Sequence, residues 1–198
     1  MLKKHSKPIL LCLLMLASAI PAQYRWYKGN VHTHTIESDG DLPLQQVMQT
    51  YKSMHYDFLV ITDHNMVTAA EPLSTDSLLL IHGEEVSAQE HWGALGLSHA
   101  IDPAGLSRQN IIDRIRQQNA IPIINHPRWA WIYFSSDDVC ELDGIRHLEI
   151  LNTLTDGDRS HGNGIGLWDE VLTRGRKMYG IAARSEERRV GKECRSRW

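Results

Sequence analysis

The sequence predicts an α/β fold on a mainly parallel sheet, and three observations predict it. Between Gln23 and Ala183, short apolar runs alternate with stretches of helical period, the pattern of repeated strand–helix units. The chain has 198 residues, the size of one domain around a single core. Histidines and carboxylates recur just beyond the apolar runs, where the carboxyl ends of strands in such folds carry ligand sites.

The elements follow in order. "GNVHTH" reads as a strand, and "LPLQQVMQTYKSM" as a helix with Leu44, Val47, Met48 and Tyr51 at helical spacing. "DFLVIT" and "LLLIHG" read as buried strands, and "WGALGL" as a weaker one. "SRQNIIDRIRQQN" is a helix with Ile111, Ile112 and Ile115 inward and Ser107 as N-cap. "IPIIN" and "IRHLEIL" are strands, "LWDEVLTRG" a short helix ended by Gly175, and "KMYGIAA" a last strand. No internal repeat or low-complexity linker interrupts them.

With 42% apolar and 23% charged residues the chain has an ordinary globular balance. Its net charge of −3 gives no basic excess to suggest a nucleic-acid partner. Residues 1–22 differ. "MLKKHSK" is a basic start, "PILLCLLMLASAI" an apolar run too short to span a bilayer comfortably, and "ASAIPAQ" supplies small residues for cleavage. This reads as a secretory signal peptide cleaved after Ala22, or after Ala19, with an uncleaved anchor as the alternative. The expected location is periplasmic or secreted, with no stable membrane anchor after cleavage. Cys12 lies in the apolar run and is not read as a lipoprotein cysteine. Cys194 lies in an atypical tail, which leaves Cys140 alone and no disulfide framework.

In "NVHTHTIESDG", His32 and His34 at i and i+2 share one face of an extended chain. Asp39 can join them if the turn-rich "SDGDLP" folds back. Asp63 and His64 follow "FLVIT", Glu84 and Glu85 follow "LLLIHG", and His126 follows "PIIN". Glu149 lies within "HLEIL", ahead of Asn152. Histidine and carboxylate without cysteine suit zinc, manganese or iron. Four histidines at equivalent strand ends favour a metal site over separately satisfied buried imidazoles. His55, His82, His99, His147 and His161 have no such positional case. Asp63 could bind metal, cap the following turn or brace a ligand. Glu84 and Glu85 compete for one role.

"HTHTIESDG", "ITDHN", "GEEVS", "INHP" and "LEILN", in this order, resemble the PHP (polymerase and histidinol phosphatase) family from about Gly29 to Ala183. The likeness is strongest to its exported metal-dependent phosphoesterase and CehA/McbA-like branch. It implies a distorted (β/α)7 TIM-like barrel with two to three divalent metal ions (zinc, manganese or iron) at the carboxyl mouth. It implies His32, His34, Asp39, His64, Glu85, His91 and His126 as metal ligands. Glu85 is favoured over Glu84 by its spacing from Gly83 and would bridge two ions; His99 is the runner-up to His91. Asp63, Arg128, Glu149 and Asn152 are expected around the ligands or on the substrate. The implied activity is hydrolysis of a small-molecule phosphoester by a metal-bound hydroxide, with no side-chain nucleophile. A carbamate or ester hydrolase and a non-catalytic metal-binding domain are the alternatives. Arg128 could clamp a phosphate, and Trp129 and Trp131 could wall the substrate or pack in the core.

The tail "RSEERRVGKECRSRW" reads differently from what precedes it. Residues 184–198 hold six Lys+Arg and three Asp+Glu, against 15 and 21 in residues 1–183. In the family the strand resembling "MYGIAA" leads to an Asp-x-His element; here Arg184 and Ser185 follow. The tail also resembles vector- or adapter-like sequence. The expectation is a metallohydrolase domain over 23–183, truncated near Ala183, with its barrel incomplete at the C-terminal end and its metal set short. A divergent natural basic tail is the alternative.

Overall fold

Seven strands in chain order form one sheet in the computed structural model, which describes residues 24–129, 131–153 and 163–184. The signal-peptide segment, His161 and the tail beyond Arg184 lie outside the described residues. The strands are β1 (Gly29–Asn30), β2 (Phe58–Ile61), β3 (Leu79–Ser87), β4 (His91–Leu95), β5 (Ile121–Ile124), β6 (His147–Asn152) and β7 (Tyr179–Ala183). The helices are α1 (Leu44–Ser53), α2 (Arg108–Gln117), α3 (Ser136–Glu141) and α4 (Ile165–Thr173).

Strands β1, β2 and β3 run parallel, as do β5, β6 and β7. Strand β4 is antiparallel to both of its neighbours, which departs from the parallel expectation. The cause is local: only Ala88, Gln89 and Glu90 separate β3 from β4, a link long enough for a hairpin and too short for a crossover. The sheet curls until its ends meet. Asn30 Nδ2 donates to Arg184 O at 3.0 Å, and Arg184 N donates to Asn30 Oδ1 at 3.3 Å. The result is a nearly closed, distorted TIM-like barrel with few helices.

Apolar residues outside the sheet explain the helix positions. Val47 and Tyr51 of α1 pack with Leu59, Ile61, Leu78 and Leu80. Ile111, Ile112 and Ile115 of α2 join Trp92, Phe134, Leu148 and the α4 residues Leu167 and Val171. Ser107 caps α2, accepting from Asn110 N. Gly175, with φ +80°, ends α4 in the left-handed conformation that glycine adopts without penalty. Helix α3 has no counterpart in the periodicity reading. It is six residues long, and its signal is the Ser135–Asp138 capping box.

Strand β3 positions the site. Leu80 and Val86 belong to the outer packing, so alternation sends Gly83 and Glu85 to the interior and Glu84 outward. A Cβ on Gly83 would lie 2.9 Å from both Val60 Cγ1 and Ala94 O. That close approach draws β2 and β4 together beneath Glu85.

Candidate metal centre

Glu85 is 1% exposed, and imidazoles surround its carboxylate. Oε2 lies 3.2 Å from His32 Nε2, 3.1 Å from His34 Nε2 and 3.4 Å from His64 Nδ1. Oε1 lies 3.1 Å from His126 Nε2 and 3.4 Å from His91 Nδ1. Asn125 Nδ2 donates to the same Oε1 at 2.8 Å. Asp39 closes the outer side, 3.2 Å from His34 Nδ1 and 3.5 Å from His64 Nε2.

Each group arrives from a different element. His32 and His34 follow β1 on an extended segment, held beside β2 by Thr33 N donating to Thr62 Oγ1 at 3.0 Å and Thr62 N donating to Thr33 O at 2.8 Å. The chain then turns sharply. Gly40 N donates to Thr35 O at 2.9 Å, and a Cβ on Gly40 would stand 2.7 Å from the His34 carbonyl carbon and oxygen. Only glycine fits without moving the backbone, and the turn carries Asp39 back over His34. His64 follows β2; Asn65, with φ +52°, grips β3 by accepting from Ser87 N at 2.8 Å. His91 opens β4 and His126 follows β5. His126 has φ +22°, an uncommon backbone for a non-glycine residue and one that clusters at functional sites.

A further layer of carboxylates holds this arrangement. Glu149 Oε1 accepts from His32 Nδ1 at 2.8 Å, which leaves His32 Nε2 facing Glu85. Its Oε2 accepts from His126 N at 2.7 Å and Asn152 Nδ2 at 3.1 Å. Asp63 is fully buried and touches no imidazole among the described contacts. It accepts from Thr35 N at 2.7 Å, Thr35 Oγ1 at 2.9 Å, Ser38 Oγ at 2.8 Å and Thr68 Oγ1 at 2.5 Å. Asp63 therefore fastens the base of the turn that bears Asp39.

The titration of these groups follows from their neighbours. Burial works against a charged His32, but Glu85 and Glu149 outweigh it and push its pKa up to about 10. For His34 burial prevails over Glu85, and the pKa falls. His64 rises, burial being outweighed by Asp39 and Glu85. Asp39 is drawn down to about 2, chiefly by its hydrogen bond with His64. Against its burial, Glu85 falls well below the usual carboxylate range because of His32, His126 and His34. Glu149 falls for the same kind of reason, His32 being its main partner.

Among the described residues, three groups of donor atoms each lie within 4.8 Å of one another: His32–Glu85–His126, His34–Asp39–His64 and His64–Glu85–His91. Together they contain every residue that the family resemblance implied as a ligand. The chemistry of the set fits divalent cations. Three carboxylates, Glu85, Asp39 and Glu149, stand among five imidazole rings without a thiolate, and carboxylate oxygen with imidazole nitrogen is the donor set that such cations take. Among the described residues His91 Nδ1, 3.4 Å from Glu85 Oε1, is buried with no hydrogen-bond partner. His99 is exposed and remote from the cluster, its backbone tied to Gln118. Glu84 lies on the opposite face of β3. Arg128 makes no ion pair among the described residues; its guanidinium lies over the Tyr133 ring at 4.1 Å. Three participants carry no signal in the sequence. Asn125 was hidden as the last residue of an apolar strand, although it directly precedes His126. Ser38 reads as an ordinary turn residue and Thr35 as part of the extended run, and only the fold brings Asp63 under them.

No family model matches the chain, and no curated protein matches it. Solved structures do. A two-domain protein from Bacteroides vulgatus, with a PHP-like metal-dependent phosphoesterase domain assigned by prediction, is 18% identical at a TM-score of 0.55 over 81% of this chain. A protein from Bifidobacterium adolescentis, assigned as a metal-dependent phosphoesterase, is 11% identical at a TM-score of 0.59; the match covers 82% of this chain and 88% of that one. An amidohydrolase from Chromobacterium violaceum, determined with bound sulfate and no metal, is 13% identical at a TM-score of 0.59, over 81% and 88% of the two chains. The chain spans about half (52%) of the Bacteroides protein's length. The architecture is thus a PHP-like barrel. More narrowly, it is a PHP-like barrel whose mouth holds a histidine–carboxylate cluster suited to divalent metals.

Proposed function

We propose that this chain is a metal-dependent hydrolase of the PHP family, and specifically a phosphoesterase acting on a small molecule. The observation that carries this reading is Glu85, a buried carboxylate within 3.4 Å of five imidazole nitrogens. His32, His126 and Glu85 would hold one ion; His64, His91 and Glu85 a second; His34, Asp39 and His64 a third. Two to three zinc, manganese or iron ions fit these donors. Such ions would supply Lewis acidity toward an ester oxygen and lower the pKa of water.

The chain's own residues do the remaining work. Glu149 fixes the tautomer of His32, and Asn125 donates to Glu85 Oε1 and so holds that carboxylate in one rotamer. Asp63 holds the turn that brings Asp39 to His34 and His64. Arg128 is the group we assign to the phosphoryl oxygens, since its donors have no competing carboxylate among the described residues. The Chromobacterium amidohydrolase was determined with bound sulfate, an anion similar in shape and charge to a phosphoryl group. That protein's activity also favours a second reading, carbamate or other acyl hydrolysis on the same centre.

Elemental analysis of the purified chain, followed by p-nitrophenyl phosphate and p-nitrophenyl acetate assays before and after chelation, tests these readings. Two to three ions per chain and chelator-sensitive phosphate release are expected. Acetate turnover alone selects the acyl reading; bound metal without turnover selects a binding domain. We also propose export, from the composition of residues 1–22. The exported chain should begin at or near Gln23, and intact Met1 on cytosolic protein would refute this.

A further inference from the structure

The segment after His126, "PRWAWIYF", holds more aromatic surface than folding requires. It is anchored as a tight loop. Trp129 N donates to His126 O at 3.0 Å, Ile132 N to Trp129 O at 2.8 Å and Phe134 N to Pro127 O at 3.2 Å. Ile132 and Phe134 are buried, Phe134 against Trp92 with ring centroids 5.4 Å apart. These anchors turn the intervening side chains outward, leaving Trp131 73% and Tyr133 63% exposed.

The exposed rings continue from the metal centre itself. Trp129 lies edge-on to His126 at 4.9 Å and to His91 at 6.2 Å. Trp131 follows at 5.9 Å from Trp129, their planes 36° apart. Two indoles therefore lead from the proposed ligands to solvent, and in the same segment the Arg128 guanidinium lies over the Tyr133 ring. A large ring left in water forgoes the stabilisation that burial would give it. Exposed indole beside a reaction centre is a surface for a ligand that has a flat face of its own.

We propose that this aromatic arm is the leaving-group subsite, and that the preferred ester carries a planar aromatic group stacked on Trp129 and Trp131. The inference rests on the hydrolase reading above. Residues 127–134 contain no carboxylate or amide side chain. Sugar hydroxyls would find few partners along the arm, whereas an aryl face needs none.

Calorimetry on the full chain in manganese-containing buffer, with benzylphosphonate and butylphosphonate as probes, tests this without requiring turnover. The wild type should bind the benzyl probe about tenfold more tightly. Trp131→Ala changes an exposed side chain and should preserve the fold. It should remove most of the preference, lowering benzylphosphonate affinity several-fold more than butylphosphonate affinity. In kinetics, benzyl phosphate should exceed butyl phosphate in kcat/KM by a similar factor, and that factor should shrink in Trp131→Ala. Equal affinity for the two phosphonates overturns the proposal, as does no binding of either, or a preference that survives in Trp131→Ala. Tighter binding of glucose 6-phosphate than of benzyl phosphate, dependent on Trp131, would likewise overturn it in favour of a sugar. An aryl preference in binding, with no ester turned over, would instead count against the hydrolase reading alone.

Discussion

The two faces of β3 hold adjacent glutamates in opposite circumstances. Both are buried, Glu84 at 0% and Glu85 at 1% exposure. On the inner face Glu85 meets five imidazoles and an amide, and its pKa falls well below the ordinary range. On the outer face Glu84 has, among the described residues, one hydrogen bond, Oε2 accepting from Ile101 N at 2.9 Å, and no partner for Oε1. Burial pushes its pKa up to about 7. Depth alone therefore does not determine what a buried carboxylate does. Neighbouring donors set the charge state, and a single step in strand register determines which neighbours a residue has.

The largest expected effect separates these faces. Glu85→Gln should lower metal content by at least one ion per chain and activity by about a thousandfold or more, since it weakens two proposed ion sites at once. Glu84→Gln should keep its metal by elemental analysis and change kcat/KM by less than about tenfold. Equal metal loss in both variants would mean that the register of β3 assigned to the site is wrong.

A pH effect on stability should come from the outer face. The folded-state pKa of Glu84 lies above its unfolded value, so between pH 4.5 and about 7 the folded chain holds a proton that the unfolded chain has released. Stability should then fall as pH rises through that window and level off above it. Urea denaturation of metal-free wild type and Glu84→Gln across pH 4–8 should show wild type losing at most about 3 kcal/mol relative to the variant as pH rises. Asp39 acts in the opposite direction: its pKa, drawn down to about 2, makes its contribution present above pH 3.8 and lost as pH falls toward 2.

Smaller changes sharpen the contrast. Glu149→Gln keeps the size of the side chain that orients His32 and removes its charge; metal affinity should drop roughly 10–100-fold in a chelator competition. Ser107→Ala, in the outer layer, removes the α2 cap and should cost about 1 kcal/mol in thermal unfolding with metal content unchanged. Metal loss from Ser107→Ala would show that the two layers are coupled.

Local chemistry made much of this molecule legible in its sequence. The 3.6-residue period of Ile111, Ile112 and Ile115 marks α2, and Ser107 begins it. The donor residues could be recognised because histidines seldom gather at successive strand ends by chance. The hairpin that sets β4 antiparallel, the folding of Asp63 beneath Thr35 and Ser38, the Asn125–Glu85 contact and the exposure of Trp131 depended on the tertiary structure. Each joins residues far apart in the chain or depends on what covers a side chain, and neither period nor propensity encodes those distances. The sequence by itself determined which donor chemistry was present and on which elements it would fall. Only the nearly closed sheet brought one carboxylate among five imidazoles and gave its neighbour on the other face a single backbone donor among the described residues, because alternation along a strand has physical meaning once both faces have neighbours.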